Sequence, residues 1–171
     1  LAEKIIKKMI SKELLHLALV EASSESLNIE TILKYQVLCL PENFGKGDDL
    51  IDAQNSIDIS KILKLNNIKC ANSFDLELNA NTLERRSHDI WLGQILIIDS
   101  MVLPTIISLL ANYITNKFRI GLKEEPNVPQ PQVNVEIKFL KNGRLDYIKF
   151  KGDGETLIEM LKTIKPKNGE E

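Results

Sequence analysis

One segment constrains the fold more than any other. Val133 to Leu140 alternates apolar and polar residues, Leu145 to Lys151 does the same, and Asn142-Gly143 lies between them. Asn-Gly suits a two-residue type I′ turn, whose central positions both need positive φ. Such a turn sets Ile137 opposite Ile148 and Val135 opposite Phe150. On the other face it sets Glu136 opposite Lys149 and Lys138 opposite Tyr147, and Lys141 faces Arg144 next to the turn. Apolar meets apolar and charge meets charge, with only Asp146 opposite Phe139 out of pattern. A one-residue slip would turn every side chain to the wrong face. The spacing predicts a hairpin over 133–151 with one buried face and one wet, lysine-rich face.

The residues before the hairpin read as strand and helix. Trp91 to Ile98 holds the apolar run Ile95-Leu96-Ile97-Ile98, a buried strand ended by Asp99-Ser100. Trp91 is expected to anchor the core, and Gly93 to allow a bulge or close packing. Pro104 suits the first turn of a helix reaching about Lys117, with Leu103, Ile106, Ile107, Leu110 and Ile114 on one face. Pro126, Pro129 and Pro131 mark a connector at 120–132. A last helix over 155–164 is opened by Asp153 or Gly154 and closed by Pro166.

Upstream, residues 2–22 form an amphipathic pattern, but 14–20 are apolar nearly all round, with His16 the one polar side chain. A helix of that kind needs cover on several sides, from a core or from a subunit interface. A protein partner or a homodimer through this helix is therefore expected. A second helix over 25–35 leads to Val37 to Leu40, which reads as a short buried strand or a helix end. Residues 41–56 read as loop, 59–66 as a helix capped by Asp58, Ile68 to Phe74 as a strand and 75–89 as a polar loop. The order implies an α/β or mixed α+β fold, with a mixed sheet of about four to five strands packed with helices. The organisation expected is a helical segment 1–36 and an α/β domain 37–171.

Composition narrows the function classes. The 171 residues are 43% hydrophobic and 27% charged, as in an ordinary soluble globule. With 22 basic against 24 acidic residues and few arginines among the basic ones, nucleic acid is not the default partner. Cys39 and Cys70 belong to no CxxC or zinc-type pair and sit among apolar residues, as buried thiols in a reducing cytoplasm do. The chain begins Leu-Ala-Glu-Lys, as a fragment or a processed form would, and lysines interrupt any signal-peptide run. Abundant Ile, Lys and Asn accord with an AT-rich microbial genome. Ile90 to Ile114 carries one charge, Asp99. Strand, turn and buried helix explain it without the roughly 2.5–3.5 kcal/mol that a carboxylate at a bilayer centre costs, so no membrane association is expected.

Candidate chemistry is sparse. Glu84-Arg85-Arg86-Ser87-His88-Asp89 is the densest polar cluster, with a base, an acid and two guanidiniums. Together with Asp99, at the carboxyl end of a strand, it offers Glu84, Arg85, Arg86 and His88 to a small hydrolase or nuclease. The plainer reading is a solvated loop whose arginines pair with Glu84 and Asp89, and an Asp99 that caps the following helix. Phe44-Gly45-Lys46-Gly47-Asp48-Asp49 lacks the phosphate-loop spacing and is acidic, so it reads as an exposed loop. No metal site and no cofactor motif are present in the pattern.

From Trp91-Leu92-Gly93 onward the layout resembles the small effector-associated constant-component domains that accompany bacterial immune effectors. The resembling features are the strand Ile95 to Ile98, the helix Leu103 to Lys117, the hairpin at Asn142-Gly143 and the helix Glu155 to Ile164. The resemblance covers about the last 80 residues and lacks the family's glycine-rich stretch between strand and helix. It implies an accessory role, as an adaptor or sensor component of a bacterial defence system, and carries over no catalytic residue. The expectation is a cytoplasmic, non-enzymatic interaction protein, with the hydrolase as the alternative.

Overall fold

The computed structural model describes residues 29–46, 49–124, 131–141 and 144–164. In chain order these form α1 (Ile29–Ile32), β1 (Val37–Leu40), β2 (Leu50–Ala53), α2 (Ser56–Leu65), β3 (Cys70–Ala71), β4 (Ala80–Leu83), β5 (Ile90–Ile97), α3 (Leu103–Glu124), β6 (Gln132–Lys141), β7 (Arg144–Asp153) and α4 (Gly154–Ile164). A 3-10 turn at Ser100–Val102 leads into α3. Five strands make a mixed sheet in the order β3-β1-β5-β6-β7, and β2 and β4 make a separate parallel pair. The mixed α/β architecture expected from the sequence is the one observed.

Burial explains why the strands differ in sequence. β1 lies between β3 and β5, and all four of its residues are buried. Its apolar run is therefore unbroken. Val37 and Cys39 join the larger core, where α2, α3 and α4 contribute Ile59, Leu63, Ile106, Leu110, Ile114 and Leu157. Leu38 and Leu40 join a smaller core on the opposite face, with Ile32, Phe44, Leu50 and Leu96. In β6 only one face is buried: Val133, Val135, Ile137 and Phe139 belong to the larger core. The alternation of the hairpin follows from that one-sided cover.

The hairpin register is the one the sequence implies. Ile137 pairs with Ile148, Val135 with Phe150, Glu136 with Lys149, Lys138 with Tyr147 and Lys141 with Arg144. Two residues, Asn142 and Gly143, therefore connect the strands; they lie outside the described residues, as does the helix expected over 2–22. Of the helix expected over 25–35, residues 29–35 are described, and the helix ends at Ile32, with Leu33 and Lys34 in a turn.

Several boundaries differ from expectation. Two short strands were not foreseen: β2 lies in the supposed loop 41–56 and β4 in the supposed loop 75–89. Each has four residues, and their pairing, Leu50 with Ala80 through Ala53 with Leu83, is set by distant chain rather than by local pattern. The strand expected over 68–74 shrinks to Cys70–Ala71. α3 runs to Glu124, seven residues past Lys117, which removes 120–124 from the expected connector. One glycine, Gly121, costs a helix only about 1 kcal/mol relative to Ala. α2 begins at Ser56 behind Asn55, not at a cap made by Asp58. Asn55 spends its side chain elsewhere: Oδ1 accepts from the Trp91 N–H at 2.8 Å, and Nδ2 donates to the Tyr113 hydroxyl at 3.1 Å. Among the described residues, no helix is long and apolar enough to cross a membrane, and the apolar stretch 90–114 is divided between β5 and α3.

The Tyr113 hydroxyl donates in turn to Asp58 Oδ2 at 3.0 Å. Burial, with the Asp58 carboxylate beside it, pushes the phenol well above its usual range. A raised folded-state value means stability that is complete below the unfolded tyrosine value of about 10 and lost as pH rises beyond it. Tyr113→Phe is expected to cost about 1 kcal/mol at neutral pH. The gap between variant and parent in urea midpoint should narrow between pH 9 and pH 11.

The cysteines are free and buried, as expected, with Sγ atoms 3.6 Å apart. The contact with Cys70 and complete burial push the Cys39 thiol well above the usual thiol range. Since the thiolate is the reactive form, Cys39 should stay unmodified by an aromatic disulfide reagent at pH 8. It should react within the mixing time once the chain is unfolded in guanidinium, as read by absorbance.

Candidate functional site

Among the described residues, the second face of the sheet is only partly covered. The smaller core spreads over β1 and reaches Leu96 of β5, and beyond it the side chains of β6 and β7 are polar. Three rungs cross this face. Trp91 lies opposite Asn134 and Asn134 opposite Lys151; Gln94 lies opposite Glu136 and Glu136 opposite Lys149; Leu96 lies opposite Lys138 and Lys138 opposite Tyr147.

A bulge aims the first rung. Register shifts between Trp91 and Gly93, and Gly93 takes a φ of +68°. The extra residue, Leu92, enters the larger core. Trp91 is therefore not the core anchor expected from the sequence but a partly exposed residue of the polar face. Arg85 lies over its ring, with the guanidinium carbon 3.7 Å from the centroid. The same guanidinium grips Glu42 through two bonds, of 3.0 and 2.5 Å. Arg85 thus pairs with a carboxylate far back in the chain rather than with Glu84 or Asp89.

Gln94, 1% exposed, organises the centre. Its Nε2 donates to the Phe44 carbonyl at 3.0 Å and to the Glu42 carbonyl at 3.3 Å, and its Oε1 accepts from Lys138 Nζ at 3.1 Å. Glu136 holds Lys138 at 3.9 Å and Lys46 at 4.0 Å. The glycine-containing loop at 41–46 is consequently tied down, with Phe44 only 3% exposed. Gly45, Lys46 and Asp49 are exposed, as the loop reading expects, and Phe44 is the buried anchor of the stretch. Among the described residues, two buried donors on the face have no partner: Trp91 Nε1 and Asn134 Nδ2.

The sequence candidates do not converge. Glu84, Arg86, Ser87 and His88 are exposed, and Asp89 Oδ1 accepts the Gln132 N–H at 2.8 Å. Asp99 is at the opposite end of β5, about 25 Å away at roughly 3.3 Å per residue. There it accepts from Gln36 Nε2 at 3.2 Å and caps the 3-10 turn by accepting the Met101 N–H at 3.0 Å. Only Arg85 of the set joins the polar face. Among the described residues, no three His, Cys, Asp or Glu side chains gather as a metal ion would need. The hairpin alternation already placed Asn134, Glu136, Lys138, Tyr147 and Lys149 on one wet face; Glu42 and Gln94 carried no local signal.

Arg85→Ala is expected to destabilise by about 1–2 kcal/mol, from the lost stacking and the lost fork on Glu42. Arg85→Lys keeps the charge without the planar fork and should recover less than half of that. Trp91 is the chain's single tryptophan, so both variants should shift its emission; urea titration followed at that emission reads both effects.

Beside β3, an open depression of about 370 Å³ is lined by Lys34, Tyr35, Lys64 and Lys69 among others. Lys64 is held there by Asp75 at 2.6 Å. No protein-family model matches the chain, and neither a curated protein nor a solved structure is significantly similar to it.

Proposed function

We propose that the chain is a non-enzymatic interaction protein, an accessory component that acts by docking a partner on the β6–β7 side of its sheet. The observation that carries this reading is β7. It is ten residues long and outermost in the sheet, and it pairs on one side only among the described residues. Its Tyr147 side chain is 64% exposed. A long edge presents unpaired backbone N–H and C=O groups, the usual seat for a strand added from another chain. The resemblance of the last 80 residues to accessory domains of immune effectors suggests the setting, a bacterial defence system. The helix expected over 2–22 offers a second contact, with a partner or with a second copy.

In-cell cross-linking followed by hydrogen exchange on the isolated complex tests the reading. The expected result is slowed exchange of the 144–153 amides when the partner is bound. A partner that protects only other segments overturns it, as does catalytic turnover by the purified chain.

A further inference from the structure

We infer that the face around Trp91 and Asn134 is a carboxylate-binding site, and that the partner segment it takes is acidic. This deepens the interaction reading and rests on it. A buried donor left unpaired costs about 1–3 kcal/mol, and native proteins leave few. Among the described residues two such donors, Trp91 Nε1 and Asn134 Nδ2, belong to residues directly opposite each other in adjacent strands. Both are N–H donors, so the group that satisfies both is an acceptor. Indole offers no acceptor of its own.

The charge around them selects an anion. Lys46, Arg85, Lys138, Lys149 and Lys151 gather on this face against the carboxylates Glu42 and Glu136. Asp153, at the end of β7, is turned to cap α4, where it accepts from the Thr156 N–H and hydroxyl. The surplus is positive on a chain whose net charge is −2. Glu42 and Glu136 are occupied by Arg85, Lys46 and Lys138, whereas exposed Lys149 and Lys151 stand in no ion pair among the described residues. Lys151 is the residue opposite Asn134. The two nitrogens lie beneath the surface although their side chains are partly exposed. A carboxylate reaches them as the long Lys151 side chain swings to pair with it. Carboxylates spaced along an extended acidic segment would meet Lys149 and Lys151 in succession, which favours an acidic peptide over a small free acid.

The probe is a ten-residue oligoglutamate peptide, titrated into the full chain at low salt and followed by Trp91 emission and by calorimetry. Acetate and a ten-nucleotide oligothymidylate are run alongside. Saturable peptide binding with an emission change is expected, at least tenfold weaker in Lys151→Glu and in Asn134→Leu. Trp91→Phe, followed by calorimetry, should weaken binding by a similar factor while urea midpoints show the variants folded. No peptide binding, or binding that all three variants leave unchanged, overturns the inference. Tighter binding of the oligonucleotide assigns the face to nucleic acid instead, and equal binding of acetate per carboxylate assigns it to a small acid. If the peptide fails while a partner still protects β7 from exchange, the carboxylate site falls and the interaction reading stands.

Discussion

Gln94→Ala is expected to lower unfolding stability by about 3 kcal/mol or more, because each buried polar group stranded by the change costs roughly 1–3 kcal/mol. The substitution leaves the Phe44 carbonyl without its donor at 3.0 Å and Lys138 without its acceptor at 3.1 Å. It also opens a void in a position that is 1% exposed. Gln94→Leu separates the two contributions. It restores volume and leaves the same groups unpaired, so the loss should remain large if hydrogen bonding dominates. Urea unfolding followed by circular dichroism gives both numbers. A loss under about 1 kcal/mol in the alanine variant would place it among ordinary surface substitutions and show that the network has no structural weight. Loop 41–46 should also exchange its amide protons faster in both variants, since Gln94 is the tie between that loop and the sheet.

Gly93→Ala is expected to cost about 3 kcal/mol, as a left-handed conformation costs an L residue roughly 1–2 kcal/mol and overpacking adds about 1–3. A Cβ there would stand 2.9 Å from the Leu40 carbonyl oxygen and 3.3 Å from Ala53 Cβ. The first neighbour is backbone of β1 and cannot swing away. Gly154 faces a different obstacle, since a Cβ there would overlap the Phe118 ring and stand 2.7 Å from Cγ2 of the buried Ile114. Gly154→Ala should therefore also destabilise, by displacing side chains rather than by straining the backbone. Thermal midpoints of the two alanine variants measure both costs. The Gly93 variant should also show altered tryptophan emission, because the bulge it holds is what turns Trp91 to the polar face.

What the sequence disclosed, and what it hid, divides by chain distance. The hairpin was legible to the residue because its faces, its charge pairs and its turn are all local. β5 was legible from its apolar run Ile95 to Ile97, whereas the equally apolar Val37 to Leu40 suited a strand or a helix end, because a short run buried on all sides carries no period. β2 and β4 were not: Leu-Ile-Asp-Ala and Ala-Asn-Thr-Leu have no period of their own and exist through each other. The cap of α2 was misread because Asn55 is drawn to Trp91 and Tyr113, contacts no local rule contains. The site shows the same division. Its β6 and β7 side chains could be placed on one face from the register alone. Arg85 was singled out for the wrong partners, since Glu42 becomes its neighbour only when the loop before β2 folds onto β5. Asp99 was legible as a cap and was observed as one.

The position of β1 has a consequence for how the chain assembles. β5, β6 and β7 are consecutive in sequence and adjacent in space, whereas β1 pairs Val37 with Cys70 on one side and with Ile97 on the other. A hairpin closes in about 1–10 μs, and distant pairings carry a larger entropic cost before any contact repays it. Of the five strands only β6 and β7 close locally; β5 joins β6 across about 40 residues, and β1 completes the sheet through distant pairings on both of its sides.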